Sequence, residues 1–260
     1  MCVVPPGFKF SFSCLESFNN CSLAWKMHYI DKLEEDQNYY AEYGTAVHQV
    51  LEGWAKGEIP DFAMAEEWEE IYEEHVLHAP PPYPKGQAEK NYNLAKDYFE
   101  HFDGFGDQYS VVSAEEKFEV EVEGYIIRGL ADLVLQDKND GEYVIIDHKT
   151  KSTKTMANDF DTYVHQLYIY AMYVHQKFGK YPKKMAFNLI KDKDIPFEEE
   201  FSMAGLERTK RWIVDTIEKI KQSKEWIAGG SPFFCQFICG YRYSCPVADS
   251  IIHAKKAKRK

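Results

Sequence analysis

The apolar residues of this chain keep two different spacings, with one changeover near residue 109. Before it they recur every three or four positions, as on helices packed along one side. Ser13-Cys14-Leu15-Glu16 has the S-x-x-E form of a capping box and predicts a helix from about Cys14, with Leu15, Phe18, Leu23 and Trp25 on its apolar side. Thr45 is read as the N-cap of a second helix that buries Val47, Val50, Leu51 and Trp54. Ala63 to Val76 predicts an amphipathic helix with Met64, Trp68, Ile71 and Tyr72 inward. The proline run 80–84 breaks the chain, and Lys85 to Phe102 predicts one more helix. From Tyr109 the period falls to two, as in K-F-E-V-E-V at 117–122. Gly124 turns this strand into a second, Ile126 to Leu135, which is apolar apart from Asp132. D-K-N-D-G at 137–141 is turn chemistry, and Tyr143 to Ile146 is a short apolar run of the kind buried on both faces. A helix over Asp161–Gln176, a buried strand over Lys183–Ile190 and a long helix over Met203–Ile227 follow. The strand reached through a helix implies a βαβ crossover. The pattern predicts an α/β protein with a helical lobe over 1–108, a core over 109–230, a cysteine-bearing segment over 231–248 and a basic tail over 249–260.

The chemistry gathers at the predicted hairpin. Asp132 lies inside one strand, and Asp147-His148-Lys149 ends the next. A carboxylate in a strand interior is costly unless it is paired or holds a metal. Two side by side repel each other, and a divalent cation removes that repulsion. Lys149 shares a face with Asp147, two residues away. Metal-assisted hydrolysis uses such a set; a buried Asp–Lys ion pair beside an exposed Asp132 is the other reading of the same spacing. Gln166 and Tyr170 lie four apart on one helix face downstream, and His48 lies in the helix that G-T-A-V-H opens upstream. The loop Lys149–Lys154 carries lysines and hydroxyls that suit phosphate contact or simply line a polar loop.

Taken in order, His48, G-L-A-D ending at Asp132, D-H-K at 147–149 and Q-L-Y-I-Y at 166–170 resemble the PD-(D/E)XK nucleases, and within them the RecB-like exonuclease branch, including its CRISPR-associated iron–sulfur members. The resemblance runs from about Phe10 to Pro246. It implies a restriction-endonuclease-like core, a mixed sheet flanked by helices. It implies Mg²⁺ or Mn²⁺ held by His48, Asp132, Asp147 and the carbonyl of His148, with Lys149, Gln166 and Tyr170 in catalytic roles. An acid of the preceding strand, taken as Glu116, joins the metal shell in some relatives. The implied activity is exonuclease cleavage of single-stranded or end-bearing DNA in recombination, repair or processing, alongside a helicase or another DNA-processing partner. An endonuclease on the same fold and a catalytically idle DNA-binding adaptor are the alternatives.

Cysteine usage adds a second centre. Cys235, Cys239 and Cys245 crowd into eleven residues, a density that in a protein expected to be intracellular points to a metal. The resemblance supplies a fourth ligand, Cys21, with Cys14 as its rival, and implies a 4Fe–4S cluster; structural zinc is the alternative. Three residues separate Cys235 from Cys239, where the family usually has two, whereas the C-x5-C-P spacing to Cys245 matches.

Composition changes the picture less. The net charge of −11 argues against a nucleic-acid partner until it is divided along the chain. Residues 1–130 carry 9 Lys and Arg against 25 Asp and Glu, and residues 131–260 carry 22 against 17. The hairpin half is therefore basic, as suits a DNA-processing face beside an acidic lobe. No apolar run has the length of a membrane span, and the N-terminus does not read as a signal peptide. A cytoplasmic protein of prokaryotic or phage origin is expected.

Overall fold

The structure, a computed structural model, describes residues 4–192 and 194–253. The basic run 254–260 and Cys2 lie outside the described residues.

Ser11, two residues before the expected position, caps the first helix by accepting from the Cys14 amide at 3.1 Å, and α1 covers Phe12–Asn20. Cys21 interrupts it and caps the next helix, α2 (Ser22–Tyr29). The helix expected from Thr45 begins about two turns earlier: α3 is Tyr39–Ala55, with the Asn38 side chain accepting from Ala41 at 3.0 Å. Tyr39 and Tyr43 extend its buried stripe backwards, so the apolar side outruns the polar cap at Thr45. The predicted helix over 63–76 consists of α4 (Met64–Ile71) and a π turn (Tyr72–Val76), and α5 is Gln87–Glu100. These elements close on their own core, with Trp68, Met64, Leu51 and Phe99 at its centre.

The sheet follows in chain order, β1 (Tyr109–Val122), β2 (Tyr125–Asp137), β3 (Tyr143–Lys149), β4 (Lys184–Leu189) and β5 (Asp194–Glu200), and its spatial order is the same. All neighbours are antiparallel except β3 and β4. That parallel pair is joined by α6 (Thr153–Phe178), the expected crossover. α6 starts eight residues before the predicted Asp161, because Ser152 caps it through the Thr155 amide. β5 is an element the sequence reading missed; it is an acidic edge strand formed by pairing with β4. α7 (Met203–Gln222), α8 (Pro232–Phe237) and α9 (Ala248–His253) complete the chain.

β3 is covered on both sides, as its continuous apolar run requires. Ile145 joins the core beneath α6 and α7, while Val144 and Ile146 join a smaller core shared with Trp54 and Phe105. Gly129 has a packing reason. The Phe118 ring lies across it from β1, and a Cβ there would sit 2.2 Å from the ring. Phe118 in turn stacks on Tyr173 at 4.7 Å and meets Tyr170 edge-on at 5.8 Å, so this glycine helps set the face of α6 that carries Tyr170. Gly129→Ala should therefore overpack the site and cost about 1–3 kcal/mol, read as a lowered thermal midpoint; an unchanged midpoint would show that Phe118 moves freely.

Candidate active site

β3 carries Asp147, His148 and Lys149 to the middle of the sheet, and β2 brings Asp132 beside them. The His148 amide donates to Asp132 Oδ2 at 2.9 Å. α3 lies over the strand ends and delivers His48, whose Nε2 is 3.1 Å from the His148 carbonyl oxygen and whose Nδ1 is 3.5 Å from Asp132 Oδ2. On the α6 side, Lys149 Nζ lies 2.5 Å from Asp147 Oδ2 and donates to Gln166 at 2.9 Å. Gln166 donates to the Tyr170 hydroxyl at 2.8 Å, and that hydroxyl donates to Asp132 Oδ1 at 3.4 Å. His48, Asp132, Asp147, His148, Lys149, Gln166 and Tyr170 are thus brought together.

Glu116 is not. It turns away to Lys177 and accepts from Ser113 at 2.8 Å. Its neighbour Glu115 enters instead, with Oε1 3.3 Å from His48 Nδ1. Two features of β1 exchange them. Val111 pairs with Leu135 but Ser113 with Val134, a bulge that shifts the alternation by one residue. Glu115 itself has φ 46°, a left-handed conformation that turns its side chain out of the strand pattern. The bulge leaves no mark in the residue types, so the sequence alone gave no signal for Glu115 over Glu116.

The electrostatics are those of a site short of positive charge. Asp147 is fully buried, and the one charge that meets it directly is Lys149, whose Nζ lies 2.5 Å from Oδ2. Burial raises its carboxyl to about 6, with Lys149 opposing the rise and Asp132 adding to it. Burial raises Asp132 as well, against His48 and Lys149. Burial pushes His48 down, but its hydrogen bond to Glu115 and the charge of Asp132 outweigh this and lift it to about 9. His148, buried on the opposite face, is held well below its ordinary value and accepts from the Asn188 amide at 3.0 Å. That bond fixes its ring and leaves its carbonyl turned to the site.

His48, Glu115 and Asp132 offer ligand atoms within 4.8 Å of one another, and the Asp147 carboxylate is close enough to Asp132 to feel its charge. Carboxylate oxygens, one carbonyl and an imidazole suit Mg²⁺ or Mn²⁺.

The PD-(D/E)XK nuclease superfamily matches residues 9–246. The chain belongs to that superfamily. As a member it stands among hydrolases that act on nucleic acid, and its mixed five-stranded sheet flanked by helices is the expected fold. It is 25% identical to the Gene 69 protein of Mycobacterium phage D29 over 276 residues, which cover 91% of this chain and 96% of that protein. A solved Eubacterium rectale structure named "Putative exonuclease" aligns with 85% of this chain and 84% of its own, at 13% identity and a TM-score of 0.47. Among the described residues no helix is long and apolar enough to cross a membrane.

The nuclease gathers a second cluster of candidate ligands from the two ends of its chain. Cys21, Cys235, Cys239 and Cys245 line one small pocket. Burial, and then the other three thiols, push Cys239 up to about 11. Cys14 points elsewhere: it is buried in the core and accepts from the Trp25 indole at 3.3 Å. Stacking of Trp25 on Trp226 at 5.6 Å and a His28–Tyr241 hydrogen bond of 2.7 Å hold the cysteine segment against α2. A pocket walled by four thiols fits a thiolate-bound metal centre.

Cation binding at the hairpin must displace protons, since Asp147 is half-protonated near pH 6 and His48 carries its proton to about 9. The rise in thermal midpoint produced by Mn²⁺ should therefore grow from about pH 5 to about pH 8. It should vanish in Asp147→Asn. A midpoint shift that is flat across this range would contradict the assignment.

Proposed function

We propose that the nuclease is a metal-dependent deoxyribonuclease that works from ends, a RecB-like exonuclease on single-stranded or end-bearing DNA. The observation that carries this reading is the crowding of acids around one lysine: Asp147 is fully buried 2.5 Å from Lys149, and beside it the second buried carboxylate, Asp132, shares a cluster with His48 and Glu115. A purely structural ion pair needs one carboxylate for its lysine, and burying a second beside it is costly without a cation.

His48, Asp132, Asp147 and the His148 carbonyl would hold the cation, with Glu115 in reach through His48. Bound there, Mg²⁺ or Mn²⁺ supplies an acidified water and neutralises phosphate charge. Lys149 orients the attacking water and meets the negative charge that grows on the phosphate. Gln166 holds Lys149 in place, and Tyr170 links Gln166 to Asp132, so that the whole α6 face keeps one alignment. The phage relative agrees with a phage or prokaryotic source.

For the second centre we propose a 4Fe–4S cluster on Cys21, Cys235, Cys239 and Cys245. Supporting it is the convergence of four thiols from the two ends of the chain on one pocket, a donor set that suits an iron–sulfur cluster. The centre would close a loop of more than two hundred residues and act structurally.

Asp147→Ala should abolish cleavage of end-labelled DNA in Mn²⁺. Lys149→Ala should lower the rate about 100-fold or more while keeping the Mn²⁺-induced rise in midpoint. Linear DNA should be degraded and covalently closed circles spared; rapid cutting of circles would establish an endonuclease, and binding without cutting an adaptor. Anaerobically purified protein should be brown, with the colour lost in Cys21→Ala and kept in Cys14→Ala. Colourless protein with stoichiometric zinc would replace the cluster by zinc.

A further inference from the structure

A large cleft leads away from the metal site. It begins at Thr150 and Lys151, just past β3, and ends against Cys21 and Cys239. Tyr40, Gly44 and His48, spaced by four residues, share one face of α3, and that face reaches the cleft at Tyr40. His48 stands at the metal site. Gly44, one turn back, faces Thr150, where the cleft begins; a Cβ there would lie 4.0 Å from the hydroxyl, an ordinary contact. Tyr40 lines the cleft another turn on, about 12 Å from His48 along the helix axis.

Aromatic rings collect at that far end. The Tyr40 hydroxyl donates to the Tyr83 carbonyl at 3.0 Å. The Tyr83 ring stacks on Phe237 with centroids 5.1 Å apart and planes 13° from parallel. Phe233 lies 5.2 Å from Phe237 and 6.3 Å from Tyr40. The group is no core: Tyr83 is 57% exposed and Phe233 44%. It joins two parts of the chain otherwise far apart, the proline run and α8. On α8, Cys235 turns into the cysteine pocket while Phe233 and Phe237, two residues to either side, turn toward Tyr40 and Tyr83.

Charge does not explain what the cleft would hold. Its lysines, Lys151 and Lys191, are matched by Glu16, Glu35 and Asp159, and Lys151 is already paired with Asp159 at 2.8 Å. A groove that gripped a phosphate backbone by charge would be basic. Exposed flat rings in a neutral cleft leading from a phosphodiester site suit unpaired bases, each of which presents a π-face. Bases inside a duplex are already stacked and offer none.

We propose that Tyr40, Tyr83, Phe233 and Phe237 form a base-stacking platform for a single DNA strand running along α3 from the metal site, and that this platform selects unpaired DNA. The inference rests on the nuclease reading above and adds the residues that choose the substrate.

The test is fluorescence anisotropy with a short poly-dT oligonucleotide, in Ca²⁺ so that the strand is held without turnover. Tyr83→Ala/Phe237→Ala should weaken its Kd about tenfold or more, with only a shallow salt dependence in the parent. In Mn²⁺ the same variant should raise KM for single strands far more than it lowers kcat. Phe233→Ala, an independent exposed change, should act in the same direction, and Tyr83→Phe/Phe237→Tyr should restore binding. A thermal melt confirms that each variant is folded. Unchanged Kd and KM in the folded double variant would overturn the platform, and so would an equal loss of affinity for blunt duplex. A parent that cuts no DNA, yet loses the oligonucleotide in the double variant, would uphold the platform and overturn the hydrolase reading.

Discussion

Burying the carboxylate of Asp147 in the centre of a sheet is the constraint around which this protein is built. β3 has strands on both sides and cores on both faces, so that group has no exposed surface. Direct compensation comes from Lys149 on the same strand, which Gln166 of α6 holds, while His48 of α3 and Tyr170 of α6 contact the neighbouring Asp132. None of these elements can shift alone without leaving a charge unpaired, which is expensive away from solvent. The lobe is therefore more than an appendage, because it supplies the imidazole.

Much of this was legible in the sequence where the periodicity was unbroken. Asp147 and Lys149 share a face because a strand alternates, and the turn 137–141 leaves Asp132 little choice of neighbour. Where a local irregularity intervened, the reading failed. The bulge at Val112 and the left-handed Glu115 reversed which of two adjacent glutamates faces His48. Asn38 and Thr45 are equally good caps as residue types; what decided between them was that Tyr39 and Tyr43 are buried, which a tyrosine does not announce. β5 carries acids and a proline and is a strand only because β4 needed a partner. Cys21 and Cys14 could not be ranked from helical spacing, since the break between α1 and α2 that places Cys21 in the cysteine pocket is itself a tertiary feature.

α8 links the two ends of the molecule's chemistry. It is six residues long and too short to be stable alone. It is fixed by its Ser231 cap and by what it touches, the cysteine pocket on one side and the aromatic group on the other. Integrity of the thiol centre and the shape of the cleft are in this way a single structural property.

The identity of spatial and chain order in the sheet also has a kinetic meaning. β2 and β3 meet by closing a turn of five residues, so Asp132, Asp147 and Lys149 become neighbours through one of the cheapest loop closures in the chain. His48 must arrive across about a hundred residues, and Cys21 must wait for a segment more than two hundred residues later. During synthesis the acidic half of the site therefore leaves the ribosome complete while the thiol pocket still lacks three of its four walls. The four thiols can therefore face one another only once translation has passed Cys245, so a closed pocket is a mark of a chain made to that point.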